Sequence, residues 1–160
     1  MKLLNYVRPI RASLFALSLA AVAVLSPARA EGNLVNIATY DNNGVQVVLD
    51  TYTENGKVVG LIGMYSNNLR ISFAFSRGDW PALQNLWQAA MNMDGSDYKS
   101  QGSLAETGTS EKCVITAAGG PSVRLTIVDP ITGALVFDVQ PSVKADFDTK
   151  LSQVASVVTD

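Results

Sequence analysis

The sequence contains no histidine. That absence removes the usual general base near neutral pH, the Ser-His and Cys-His nucleophile pairs, and the commonest zinc ligand. Cysteine is almost absent too. Cys113 stands alone among 160 residues, so no intrachain disulfide can form and core packing must supply the stability. It lies in the apolar run Cys113-Val114-Ile115 and reads as a buried structural thiol. With so few nitrogen and sulfur ligands, no cofactor and no transition metal is expected; a hard cation held by oxygen ligands is all that composition leaves open. Long apolar runs are missing as well. The block from Leu14 to Leu25 reaches roughly 18 Å as a helix, short of a hydrocarbon core of about 30 Å, so no stable membrane span is expected.

That block has another use. It follows Lys2, Arg8 and Arg11 and precedes Ser26-Pro27-Ala28-Arg29-Ala30, the order of a secretory signal peptide with small Ala28 and Ala30 at the cleavage site. Residues 1–30 are expected to be removed after Ala30, leaving a single exported domain over 31–160, periplasmic or secreted. The first thirty residues hold four basic and no acidic side chains, so the mature chain carries eight Lys and Arg against fourteen Asp and Glu, a net charge of −6. Nucleic-acid binding needs a basic surface that neutralises phosphates, and this domain offers none. Adsorption to anionic lipid is disfavoured for the same reason.

Along the mature chain, Leu34 to Tyr40 reads as a strand, and Asp41-Asn42-Asn43-Gly44 as a turn. Val45 to Thr53 alternates with Val45, Val47 and Leu49 on one face, Glu54-Asn55-Gly56-Lys57 is hairpin chemistry, and Val58 to Tyr65 returns. Leu69 to Ser76 alternates most cleanly, with Leu69, Ile71, Phe73 and Phe75 together. The period then lengthens. Asp79 is placed to cap a helix from about Trp80 to Asn92 with Pro81 in its first turn, and Gly95 to end it. A polar segment runs through Leu104 to a turn at Gly108. Strands follow at Lys112 to Ala118, Val123 to Val128 and Ala134 to Gln140, and Ser142 is placed to cap a last helix striped by Phe147, Leu151, Val154 and Val158.

A shift of 64 residues lays Val59 on Val123, Leu61 on Leu125, Ile71 on Leu135, Phe73 on Phe137, Leu83 on Phe147 and Trp87 on Leu151. Two readings stand: a pair of similar units over 34–95 and 96–160, or a chance phasing of strand-then-helix segments. Either way the fold class is α+β, an antiparallel sheet of about eight strands packed on two amphipathic helices. Two units of four strands and a helix resemble, in element order, the Whirly-type and Pur-type single-strand nucleic-acid-binding proteins. That resemblance implies a nucleic-acid partner, which the acidic charge opposes.

Local motifs carry little chemistry. Asp41-Asn42-Asn43-Gly44 looks like part of a calcium loop, but the following alternation favours a hairpin turn. Ser96-Asp97-Tyr98-Lys99 has a Ser-x-x-Lys spacing without its companion motifs. Asp146 and Asp148 point apart on a helix and read as solvated surface. Trp80 and Trp87 share a helical stripe; Trp87 reads as core, and Trp80 as the more exposed of the two. Tyr40, Tyr52 and Tyr65, near strand ends, are expected with Trp80 to form a binding rim. The function expected is that of a non-enzymatic exported protein binding a protein or envelope component, of inhibitor, immunity or host-interaction type. The second expectation is a carrier of a small apolar ligand between sheet and helices, and the third a histidine-free hydrolase.

Overall fold

The computed structural model describes residues 33–107 and 112–159. The segment read as a signal peptide, with Ala28 and Ala30, and the turn expected at Gly108 lie outside the described residues. The elements run β1 (Asn33–Asn42), β2 (Val45–Glu54), β3 (Lys57–Ser66), β4 (Leu69–Phe75), α1 (Trp80–Met91), β5 (Lys99–Ala105), β6 (Val114–Gly119), β7 (Val123–Asp129), β8 (Gly133–Val139) and α2 (Lys144–Val157). The eight strands divide into two antiparallel sheets, β1-β2-β3-β4 and β5-β6-β7-β8. Each sheet is followed in sequence by one helix, so the fold is α+β and built of two ββββα units.

The tight turns explain the first sheet's register. Asn43 and Gly44 hold φ of 51° and 78°, and Asn55 and Gly56 hold 51° and 77°, the left-handed pair that two-residue hairpin turns require. Val47, Leu49, Ile62, Met64, Ile71 and Phe73 then share the buried face, while Gln46, Tyr65 and Arg70 pair across the outer one and Asp50 pairs there with Leu61. In the second sheet Ile115, Ala117, Leu125, Ile127, Leu135 and Phe137 do the same.

Correspondence between the units is close but not uniform. β4 and β8, and the starts of α1 and α2, keep the shift of 64. Both first strands carry a bulge, at Ile37 in β1 and Gln101 in β5, again 64 apart. In β3 and β7 the buried faces are out of step by one: Ile62 and Leu125 face the core opposite Phe73 and Phe137, whereas Val59 and Leu61 point outward. The reason is the following turn, where Ser66 pairs with Leu69 but Asp129 pairs with Gly133, one residue longer.

The helices are exchanged. α1 packs on β5, β6 and β7 of the second unit, and α2 on β1, β2 and β3 of the first. One continuous core results, with the Trp87 and Phe147 rings 4.9 Å apart where the helices meet. Asp148 on α2 accepts from Trp87 Nε1 at 2.7 Å and Gln88 Nε2 at 2.9 Å, and Lys144 Nζ donates to the Met91 carbonyl at 2.7 Å, so α2 also closes the end of α1. Asp148 is therefore a bridge between helices rather than solvated surface.

The expected caps differ in detail. Asp79 occupies the N-cap of α1 without bonding the helix; its carboxylate turns back to Ser76 N at 2.9 Å and Ser76 Oγ at 2.8 Å. Val143, not Ser142, is the N-cap of α2, and no side chain caps that helix either. α1 ends where expected, at Met91 with Asn92 as its C-cap, and Gly95 is not the cap because Asn92 and Met93 N–H already bond back to the last turn. β5 was legible only as a polar segment, since Lys99-Ser100-Gln101-Gly102-Ser103 offers no apolar alternation; pairing with β6 makes it a strand.

Candidate binding site

The four aromatic residues expected to form one rim go to different places. Tyr40 lies on the inner side of β1, its ring 5.0 Å from Phe147 and its hydroxyl donating to Asp146 at 2.8 Å. Burial, and then the Asp146 carboxylate beside it, push the Tyr40 hydroxyl far above the ordinary tyrosine range. Trp80, half-buried, packs 6.1 Å from Phe75 at the head of α1. Tyr52 and Tyr65 do share the outer face of the first sheet. Tyr65 leans along β3 over Gly63, where a Cβ would come within 2.9 Å of its ring, and Arg70 lies 5.7 Å from the ring centroid. Asp50, between them on that face, is buried and accepts from Asn36 Nδ2 at 2.7 Å. Asn36 also donates to the Ala38 carbonyl, so this polar group braces the β1 bulge.

The outer face of the second sheet is a different surface. Across its strands lie Ser103, Thr116, Thr126 and Val136 in one row, and Ala105, Val114, Val128 and Ala134 in the next. None of these is longer than valine, and Val128 and Val136 are 38% and 44% exposed. The third row holds the charges, and they cancel. Arg124 grips Asp138 through two bonds of 2.8 and 2.9 Å, its guanidinium 3.8 Å from the Tyr98 ring centroid, and Tyr98 shares a 2.6 Å hydrogen bond with Ser122. The hydrogen bonds from Arg124 hold the Asp138 carboxyl below its ordinary range. A wet face of an antiparallel sheet normally alternates to charged and polar residues. This one presents an uncharged field of short aliphatic and hydroxyl side chains on an acidic molecule.

A cleft of about 330 Å³ opens where the end of β1, the end of β8 and the head of α2 meet, lined by Tyr40, Asp41, Asn42, Asp138, Gln140 and Ser142 among others. Sequence reasoning missed both the uncharged face and the cleft. Thr116, Thr126 and Val136 look unremarkable until cross-strand pairing aligns them, and the cleft joins segments about a hundred residues apart.

Among the described residues no three His, Cys, Asp or Glu are grouped to hold a metal ion. Asp41-Asn42-Asn43-Gly44 is a hairpin turn between β1 and β2. Ser96 and Lys99 flank the entry to β5. Cys113 is buried, its thiol pushed up to about 11 by burial and then by Glu106 and Asp129. No helix of the described residues is long and apolar enough to cross a membrane. No protein-family model and no curated protein matches the sequence.

Proposed function

We propose that this chain is an exported, non-enzymatic binding protein that docks a protein partner on the outer face of its second sheet. The observation that carries this reading is the uncharged field in which Val128, Ala134 and Val136 are exposed and Val114, Thr116 and Thr126 half-buried, beside a self-neutralised Arg124–Asp138 pair. Apolar surface left in water at one place is the ordinary mark of a partner site. Strand spacings make the field roughly 19 Å by 14 Å, or about 270 Å². A stable complex buries about 800 Å² on each side. A second copy meeting this face with its own would fall short, so the partner is a different protein that also reaches past the sheet.

A benzophenone side chain placed at Val136 is expected to give one discrete cross-linked species on illumination of intact cells, and the same group at Gln84 on α1 to give none. Val128→Lys should abolish the product by putting a charge in the middle of the field. A product of twice the chain's mass, or equal products from both sites, overturns the proposal.

The carrier reading finds less support. The void between sheets and helices is about 10 Å³, lined by Ile62, Leu83, Leu86, Trp87, Ile115, Ala117, Leu125 and Leu151. A single water molecule needs about 10–15 Å³ of such space, so no apolar ligand fits without opening the core.

A further inference from the structure

The exchanged fold creates two equivalent corners, each where the end of a first strand meets the end of a fourth strand and the head of a helix. At one corner Glu106 follows β5, and its carboxylate accepts from the Ala74 N–H at 2.5 Å. Beside it Asp79 takes Ser76 N and Oγ, and Thr107 Oγ1 donates to Asp79 at 3.1 Å. Glu106 is buried, and these groups satisfy one another. That corner is plugged.

The other corner has the same backbone. Asn42 stands where Glu106 stands, and its Nδ2 donates to the Asp138 carbonyl at 2.7 Å, the counterpart of the bond at Ala74. Its other positions differ. Val143 replaces Asp79, Gln140 replaces Ser76, and Ser142 replaces Gly78. None of the described residues fills the space, and a cleft of about 330 Å³ remains. That volume lies within the range of small-ligand sites, about 300–1,000 Å³.

Its lining is two-sided. Tyr40, Phe137 and Val143 supply apolar surface, and Thr39, Asp41, Asn42, Asp138, Gln140 and Ser142 supply the polar rim. Within the described residues Ser142 Oγ has no partner, Gln140 Nε2 makes only a long 3.4 Å bond, and Asp41 accepts only from Gln46 at 3.1 Å. Hydroxyl and amide donors therefore face the same space as amide and carboxylate acceptors. A cation would use the acceptors alone, and an anion would meet the Asp41 carboxylate. A group that both donates and accepts around a ring with an apolar face uses all of them.

We propose that this cleft binds a neutral saccharide, its ring lying against Tyr40 and Val143 and its hydroxyls shared among Asp41, Gln140 and Ser142. The site is separate from the uncharged field, and neither proposal rests on the other.

The test is a titration of the ¹⁵N-labelled chain 31–160 with glucose, galactose, mannose, N-acetylglucosamine and their β-1,4-linked disaccharides. Saturable shifts are expected, confined to amides 39–42 and 137–144. Gln140→Ala and Ser142→Ala should each weaken binding about three- to tenfold, the worth of one hydrogen bond to an uncharged group. Both positions are exposed, so folding is retained, and Ser152→Ala on the outer side of α2 should leave the titration unchanged. No saturable shift with any of these sugars overturns the proposal. So do shifts centred elsewhere, or a stronger response of the same amides to methylammonium or guanidinium at equal concentration, which would make the cleft a cation site.

Discussion

Single side chains here do work that their surroundings assign. Trp87 spends its indole N–H on Asp148, and the same carboxylate holds Gln88, so one acid on α2 fixes two residues on α1. Trp87→Phe keeps most of the ring volume and removes the donor. It is expected to cost about 1–3 kcal/mol by leaving a partly buried carboxylate under-satisfied, read as a lower midpoint in chemical denaturation. Asp138 makes a pH-dependent contribution whose sign follows from its depressed folded-state ionisation. The unfolded chain takes up the proton first as pH falls, so the stabilisation is complete above the ordinary carboxylate range, about pH 4, and drains away below it. Asp138→Asn should flatten the acid side of a plot of Tm against pH and leave the neutral side lower. Cys113 behaves oppositely in accessibility: burial and two nearby carboxylates hold it as the thiol. A thiol reagent at pH 8 should modify it many times faster in denaturant than in buffer, and non-reducing electrophoresis should show a monomer.

Among elements, close approach is decided by glycine. A Cβ at Gly119 would sit 2.3 Å from Met93 Cβ and 2.4 Å from the Ala90 carbonyl, so β6 can lie under the end of α1 only without a side chain. At Gly60 the obstacle is a side chain rather than backbone, the buried Phe75 ring 2.2 Å away. Gly119→Ala is therefore expected to destabilise by about 3 kcal/mol and Gly60→Ala by about 1–2 kcal/mol, measured by urea unfolding. This scale is also where reading the sequence worked best. Asn43-Gly44 and Asn55-Gly56 announce their hairpins because few other pairs accept two positive φ angles, and Leu69 to Phe75 announces its buried face by strict alternation. Trp80 to Met91 was legible from its stripe and from Pro81. β5 was not, because hydrogen bonding to β6 rather than its own apolar pattern makes it a strand. The caps were misjudged because Asp79 found nearer donors in Ser76.

At the level of the whole molecule, what the sequence hid is which helix covers which sheet. Leu83, Leu86, Trp87 and Ala90 form an apolar stripe that would suit either sheet, and nothing local tells them to cross. The same holds for the binding rim: Tyr40 and Trp80 were drawn into packing, while the uncharged face and the open corner arise from pairings between remote segments. Exchange makes each half incomplete. Fragments 31–95 and 96–160 expressed alone are expected to lack fixed tertiary structure, each having an uncovered sheet and a stray helix, and to recover the near-ultraviolet spectrum of the full chain when mixed. A half that folds alone as a monomer would show that its helix can turn back onto its own sheet.

The exchange also sets an order of events in time. The first sheet is covered by α2, which follows the whole second sheet, so its apolar face cannot close until residues as far as Val157 are available. A chain emerging N-terminus first from a narrow pore would keep its first sheet open until α2 had followed it. The final helix is thus a latch, and a truncation that removes it should leave even the well-patterned first hairpins without a folded state to join.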